Sequence, residues 1–411
     1  MNIDLQRFID RWAGIPLCAA VSGVDALMRR WRPTAVNGKP PRAIVVILLS
    51  EMGSLVLAHD MFARLKARYP DAPLHALLFR KNREILDLMQ VMAPANVHTL
   101  DDASLPSLAR SLWSAIRALR RAGVDVAIDC ELFSRISSLL SYASGAAVRV
   151  GFHRHTQEGL YRGSHINRPV PYNPYHHISA QFLALARAID SAAMPKSKLH
   201  MAMSGKPPPQ VALEPALVQG IRSRLARDFP GIAGRPLVLV YPGGGILPIR
   251  AWPLDAYSAL CKGLVADGCA IAVIGLKDDQ ALARQLVAQV QASSPGLAGG
   301  AVIDLTGYTR SIAELLALFH VARLLVTNDG GPGQFAALTP IWTLMLFGPE
   351  TPCLYAPLTP RCHAFYSQWP CSPCLTAYNH RTSYCDGDNQ CLKVITPAAV
   401  LAKARECLSA P

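Results

Sequence analysis

The sequence predicts an α/β protein made of two parallel-sheet halves, and three observations carry that prediction. Short apolar runs alternate with helix-period stretches along the chain, two strand ends in the second half run into glycine-rich turns, and a length of 411 residues suits two cores rather than one.

The elements follow in chain order. Residues 1–35 form an amphipathic segment, in which Leu5, Phe8, Ile9, Trp12, Ile15 and Leu17 lie among Arg7, Arg11, Arg29 and Arg30. It does not read as a secretory leader, because Asp4 precedes the apolar part and Asp25 interrupts a short run. The segment can lie in a membrane interface with Trp12 and Trp31 at headgroup depth, or pack on the body of the protein or a second subunit. Both readings keep the chain on the cytoplasmic side.

Residues 40–203 form the first domain. Strands are expected at 43–49, 74–79, 97–99, 124–129 and 148–151, with helices at 58–68, 83–92 and 105–122 between them, so the pattern is βαβ and the sheet parallel. Residues 204–235, which include Pro207, Pro208 and Pro209, read as an interdomain connection. The second domain, 236–396, has strands at 237–241, 271–274, 302–305, 324–327 and 343–347, and residues 397–411 hold a final helix.

Two strand ends carry chemistry. One reads Tyr241, Pro242, Gly243, Gly244, Gly245, with Arg250, Trp252 and Pro253 close behind. The other reads Thr327, Asn328, Asp329, Gly330, Gly331, Pro332, Gly333, then a helix of small residues. Backbone N–H groups in such a turn point at an anion, which makes it a phosphate-facing loop; taken alone, it is equally an ordinary βα turn with glycines at positive φ.

Lys and Arg number 41 against 28 Asp and Glu, a net charge of +13 with a pI near 9.4, which predicts attraction to polyanions. No helix-turn-helix, finger or RNA-binding aromatic pattern accompanies the charge, so nucleic acid is not the expected partner. Anionic lipid, a phosphorylated glycolipid or a nucleotide sugar accounts for it instead. The hydrophobic share of 51% is broken by charge into runs too short for a polytopic membrane protein.

Eleven cysteines in a chain this long argue against a disulfide scaffold. Four are grouped as Cys371, Cys374, Cys385 and Cys391, with two, ten and five residues between successive members. A CxxC pair joined by two further thiolates suits a structural zinc ion; reduced thiols in a late loop are the alternative. His153, His155, His165, His176 and His177 fit no standard ligand spacing.

The two glycine-rich strand ends, with Arg250 before Trp252 and Pro253, resemble the donor half of the heptosyltransferase-like glycosyltransferases of family 9. The resemblance extends toward the start of the chain. Ile47, Leu48, Leu49, Ser50, Glu51, Met52, Gly53, Ser54 is similar to that family's first strand and acceptor-side loop, and Val124 to Asp129 and Arg149 to Phe152 are similar to later strands. The resemblance implies a GT-B architecture: two Rossmann-like domains face a cleft, and the final helix packs back toward the first. It implies transfer of a sugar, heptose or a relative, from a nucleoside diphosphate to a lipopolysaccharide-core or other glycolipid acceptor, with inversion and without a catalytic metal.

On that basis Arg250 and the amides of Gly243, Gly244, Gly245, Gly330, Gly331 and Gly333, with Pro332 in the same loop, meet the diphosphate, while Asp279 lies near the donor ribose or is simply an exposed residue at a helix start. Asp329 would repel a diphosphate directly, so it is expected to accept hydrogen bonds from a sugar hydroxyl or the loop backbone. Gly53, Ser54 and Arg154 fall on the acceptor side, where Arg149, Arg162 and Arg168 are further candidates for acceptor phosphates or carboxylates.

The chain departs from the family pattern at three positions. Ser54 stands where the family usually has an aspartate base, Gly330 where Ser or Thr is usual, and Gln334 where His is common. A serine hydroxyl takes up no proton at neutral pH, so Glu51 becomes the preferred base, ahead of His59 and Asp60. The first two departures also fit a homologue that binds nucleotide sugars with weakened turnover. A third reading is an interaction protein organised by the cysteines and the N-terminal segment.

Overall fold

The computed structural model describes residues 3–31, 40–49, 51–153, 161–191, 202–292, 300–377 and 382–410. The chain divides into two compact units, Met1–Ser204 and Gly205–Pro411.

The first unit holds β1 (Ile44–Ile47), β2 (Leu74–Phe79), β3 (Val97–Leu100), β4 (Val126–Asp129), β5 (Val148–His153) and β6 (Arg168–Pro171) in one parallel sheet of order β3-β2-β1-β4-β5-β6. The second holds β7 (Leu237–Tyr241), β8 (Ala270–Gly275), β9 (Val302–Thr306), β10 (Leu324–Asn328), β11 (Trp342–Phe347) and β12 (Cys362–Tyr366), ordered β12-β11-β10-β7-β8-β9. Numbered within its own unit, each sheet runs 3-2-1-4-5-6, the doubly wound order. Each therefore reverses direction between its first and fourth strands, where the strand ends splay and leave room for a ligand.

Central strands are buried on both faces, which is why β1 reads as unbroken Ile and Val and β7 as Leu and Val up to its last residue, Tyr241. The strand missed in the first half is β6, an edge strand carrying Pro169 and Pro171, which donate no ladder bond. The one missed in the second is β12, also at an edge and only half-buried.

Helix Pro215–Asp228 fills much of the expected connection 204–235, and it packs on helix Ile312–Val321 as part of the second unit. The final helix, Pro397–Ser409, belongs to the second unit. Val400, Ala404 and Cys407 bury its apolar face in the core of its own unit, beside helix Leu254–Ala266. Trp252 sits in that core at 5.0 Å from the Tyr257 ring, with its indole N–H shared between the carbonyls of Leu392 and Ile395.

At the N-terminus, helices Ile3–Trp12 and Gly14–Trp31 pack on helix Arg135–Ala143. Of the two readings left open for this segment, packing on the body holds for one face of the longer helix.

Candidate active site

The reversal point of the second sheet gathers the donor-side residues. Tyr241 and Thr327 are register partners on β7 and β10, so the two glycine-rich turns leave the sheet side by side. Asn328 joins them with every hydrogen-bonding group of its amide. Its Nδ2 donates to the carbonyls of Pro242 (3.1 Å) and Gly243 (2.9 Å), and its Oδ1 accepts from the Trp252 N–H (2.9 Å) and the Tyr257 hydroxyl (3.0 Å). A buried amide with all four bonds made holds both loops in one arrangement.

Two glycines are required sterically. Gly245 has φ +60°, and a Cβ on Gly244 would come within 2.7 Å of the Leu247 carbonyl oxygen and Pro248 Cα. Gly330 is extended, and a Cβ there would meet nothing nearer than 3.9 Å, so packing does not explain why it replaces Ser or Thr.

Arg250 lies among carboxylates rather than facing open space. Its Nη2 donates to Glu350 Oε1 at 2.7 Å, and its Nε stands 3.7 Å from Asp329 Oδ2. Both acids are buried. Burial pushes both carboxyls up against the pull of Arg250, and Glu350, facing the Asp329 charge as well, reaches about 8. Burial thus favours the protonated form at this pair of acids, while the guanidinium between them favours the charged one. This revises the expectation for Asp329: its charge answers Arg250. Arg250 Nε and Asp329 Oδ2 are buried without a hydrogen bond.

Asp279 closes the turn after β8 by accepting from the Leu276 N–H at 2.8 Å. It is half-buried rather than exposed and lies against the first turn, since a Cβ on Gly243 would be 3.0 Å from its Oδ1. Burial, then the Asp279 charge, raises the Tyr241 hydroxyl beside it to about 12, although the Gly245 N–H pulls the other way. Gln334 donates to the Tyr355 carbonyl at 2.7 Å.

In the first unit, β1 and β4 end together with Ile47 opposite Asp129. Glu51 is the N-cap residue of helix Met52–Leu57, which also contains Gly53 and Ser54. The Ser54 hydroxyl donates to Glu51 Oε2 at 2.9 Å, so the residue that replaces the usual acid holds the acid that precedes it. Glu131, which sequence reasoning missed, accepts from the Leu49 N–H at 2.5 Å from the β4 side. His59 contacts the Val56 carbonyl, and Asp60 accepts from the Ser204 N–H.

Two acceptor-side candidates, Arg162 and Arg149, are corrected. Arg162 is buried and pairs with Asp129, whose carboxyl burial raises to about 6 against that pairing. Arg149 is buried against Asp25 at 2.6 Å, and His165 lies between Ser22 and Ser138, its pKa pushed down by burial to about 4. These residues hold the unit together. Arg154, with Ser50 and His155, lies outside the described residues.

Two doubly wound units, each with loops gathered at its reversal point, match the α/β architecture called GT-B. The pattern of glycosyltransferase family 9 (heptosyltransferase) matches residues 112–384, more than half of the chain, and the chain belongs to that family. It is accordingly a glycosyltransferase. It is 24% identical over 371 residues to lipopolysaccharide heptosyltransferase 2 of Salmonella typhimurium, covering 89% of this chain and 98% of that one. Among solved structures, the Escherichia coli ADP-heptose lipopolysaccharide heptosyltransferase II superimposes with a TM-score of 0.66 at 21% identity, covering 89% and 98% of the two chains. The E. coli heptosyltransferase WaaC with ADP-2-deoxy-2-fluoro heptose gives 0.56 at 16% identity, covering 89% and 99%.

Proposed function

We propose that the chain is an inverting glycosyltransferase that moves heptose or a related sugar from a nucleoside diphosphate to a lipopolysaccharide-core or other glycolipid acceptor at the cytoplasmic face of a membrane. The observation that carries the reading is the joining of the two glycine-rich turns by Asn328 beside Arg250. The names of the relatives supply the sugar and acceptor class.

In this mechanism Glu51 takes the proton of the acceptor hydroxyl, whose oxygen attacks the anomeric carbon from the face opposite the leaving group. The bond from that carbon to the phosphate oxygen breaks, and the nucleoside diphosphate departs with the electron pair. Its growing charge is met by Arg250 and the N–H groups of Gly243, Gly244, Gly245, Gly330, Gly331 and Gly333, donors fixed before the reaction begins. The Ser54 hydroxyl orients Glu51. The donor-half strand ends carry no DxD pair, which supports transfer without a divalent ion.

Supplied with ADP-heptose and a lipopolysaccharide-core acceptor, the purified chain should release ADP in step with sugar transfer, undiminished by EDTA. Donor binding with neither transfer nor ADP release would favour the weakened homologue instead.

The proposal includes a structural zinc ion on Cys371, Cys374, Cys385 and Cys391. The donor chemistry fits, and the four thiols lie near enough that, after burial, charge on Cys374, Cys371 and Cys385 helps raise Cys391 to about 11. Among the described residues no three ligating groups stand at ion-binding geometry, so the ion would have to draw the sulfurs together. Metal analysis should find one zinc per chain, lost on Cys374→Ser; a metal-free parent removes this part of the proposal.

A further inference from the structure

Helix Gly14–Trp31 is seated with its polar side inward. Gly14, Cys18, Ser22, Asp25 and Arg29 recur at helical spacing and form the stripe turned toward the first unit. The fit is specific. Asp25 pairs with buried Arg149 at 2.6 Å and with Arg29; Ser22 accepts from the Ser164 N–H at 2.9 Å; and a Cβ on Gly14 would come 2.8 Å from Arg135 Cβ. In the preceding helix Asp10 accepts from the N–H groups of Arg135 (2.8 Å) and Ile136 (2.9 Å).

The opposite side carries the stripe that a surface helix normally buries: Leu17, Ala20, Val24 and Leu27, spaced three, four and three. Leu27 is 61% exposed, Val24 52% and Leu17 52%; Met28 and, in the preceding helix, Phe8 and Trp12 extend the apolar surface. An apolar face of this extent beside a polar one that is turned onto the body marks an interaction surface.

Charge identifies the occupant. Between residues 8 and 30 the only acids are Asp10 and Asp25, and both are turned inward onto arginines, whereas Arg11 and Arg30 are exposed. Between residues 8 and 30, therefore, the exposed charge is wholly cationic. A second copy meeting this face would set cation against cation, while an anionic bilayer matches both the charge and the apolar stripe. No helix among the described residues is long and apolar enough to cross a membrane, so the element would lie along the surface.

We propose that the two N-terminal helices dock the first unit on an anionic lipid surface through Phe8, Trp12, Leu17, Val24, Leu27 and Met28, with Arg11 and Arg30 at headgroup level. The proposal deepens the membrane-facing acceptor reading and rests on it for its purpose, but its test does not need turnover.

The full chain should sediment with vesicles of phosphatidylcholine containing a quarter phosphatidylglycerol, at least about ten-fold more tightly than with phosphatidylcholine alone. The double substitution Val24→Glu, Leu27→Glu should lower that binding about ten-fold or more with circular dichroism unchanged, because both side chains are exposed, and Arg11→Gln, Arg30→Gln should weaken its salt dependence. Three results would overturn the proposal: no vesicle binding by the parent, binding unaffected by the glutamates, or a parent dimer that the glutamates split without any lipid binding. Turnover on a detergent-dispersed acceptor should survive the glutamates; if the parent lacks turnover yet binds vesicles, the transferase reading fails and this one stands.

Discussion

Arg250→Met is expected to lower sugar transfer by about a hundred- to a thousand-fold, the usual cost of losing one fixed donor aimed at developing charge. The same change removes a cation paired with both Asp329 and Glu350. Breaking a buried ion pair from one side costs about 3–5 kcal/mol, so the variant should also melt earlier, and its kinetics must be taken below its transition. Arg250→Lys should recover stability better than rate, because an ammonium is a point charge and cannot present two parallel N–H groups to phosphate oxygens. The cluster also sets a pH limit. Glu350 holds its proton below about 8, and above that value its ionisation adds negative charge beside Arg250, where the proposed mechanism places the diphosphate. Transfer should therefore fall as pH rises through 8, and Glu350→Gln, which keeps the neutral shape, should flatten that limb of the kcat/KM profile. A limb unchanged in Glu350→Gln would assign it to another group.

Interior strands were legible because a strand buried on both faces is apolar along most of its length, as β1, β4, β7, β8, β10 and β11 are, with polar residues such as Asp129 and Asn328 only near strand ends. Edge strands escape for the opposite reason: β6 and β12 need little apolar pattern, and the prolines of β6 resemble a loop. Glycine-rich turns could be found because their backbone geometry excludes other residues. What surrounds them could not. Asn328 lies inside a stretch quoted for its glycines, yet its role depends on carbonyls and a hydroxyl about seventy to ninety residues away in sequence. Glu350 follows β11 and meets Arg250 across a hundred residues, and no local pattern marks it. The arginines in and after β5 misled because a basic, glycine-containing segment looks solvent-facing, whereas Arg149 and Arg162 turn inward to acids that only the fold brings near.

The second large effect is expected at Glu51. Glu51→Gln should lower kcat by about a hundred- to ten-thousand-fold, the range for losing a positioned base, and leave donor affinity within about two-fold, because the residue lies in the unit that does not hold the donor loops. Ser54 makes the assignment testable twice over. Its hydroxyl donates to Glu51 Oε2, so Ser54→Ala removes one bond that orients the carboxylate without removing the base. That variant should lose about ten-fold or less, by the cost of one hydrogen bond to a charged group. Ser54→Asp places an acid where the family usually has one and sets two carboxylates three residues apart in one helix start. It should rescue Glu51→Gln in part if the acceptor hydroxyl is held between the two positions. Single-turnover kinetics with prebound donor separate the chemical step from binding. A full rate in Glu51→Gln would move the base elsewhere, and Glu131, the other carboxylate at the same strand ends, would be the next residue to replace.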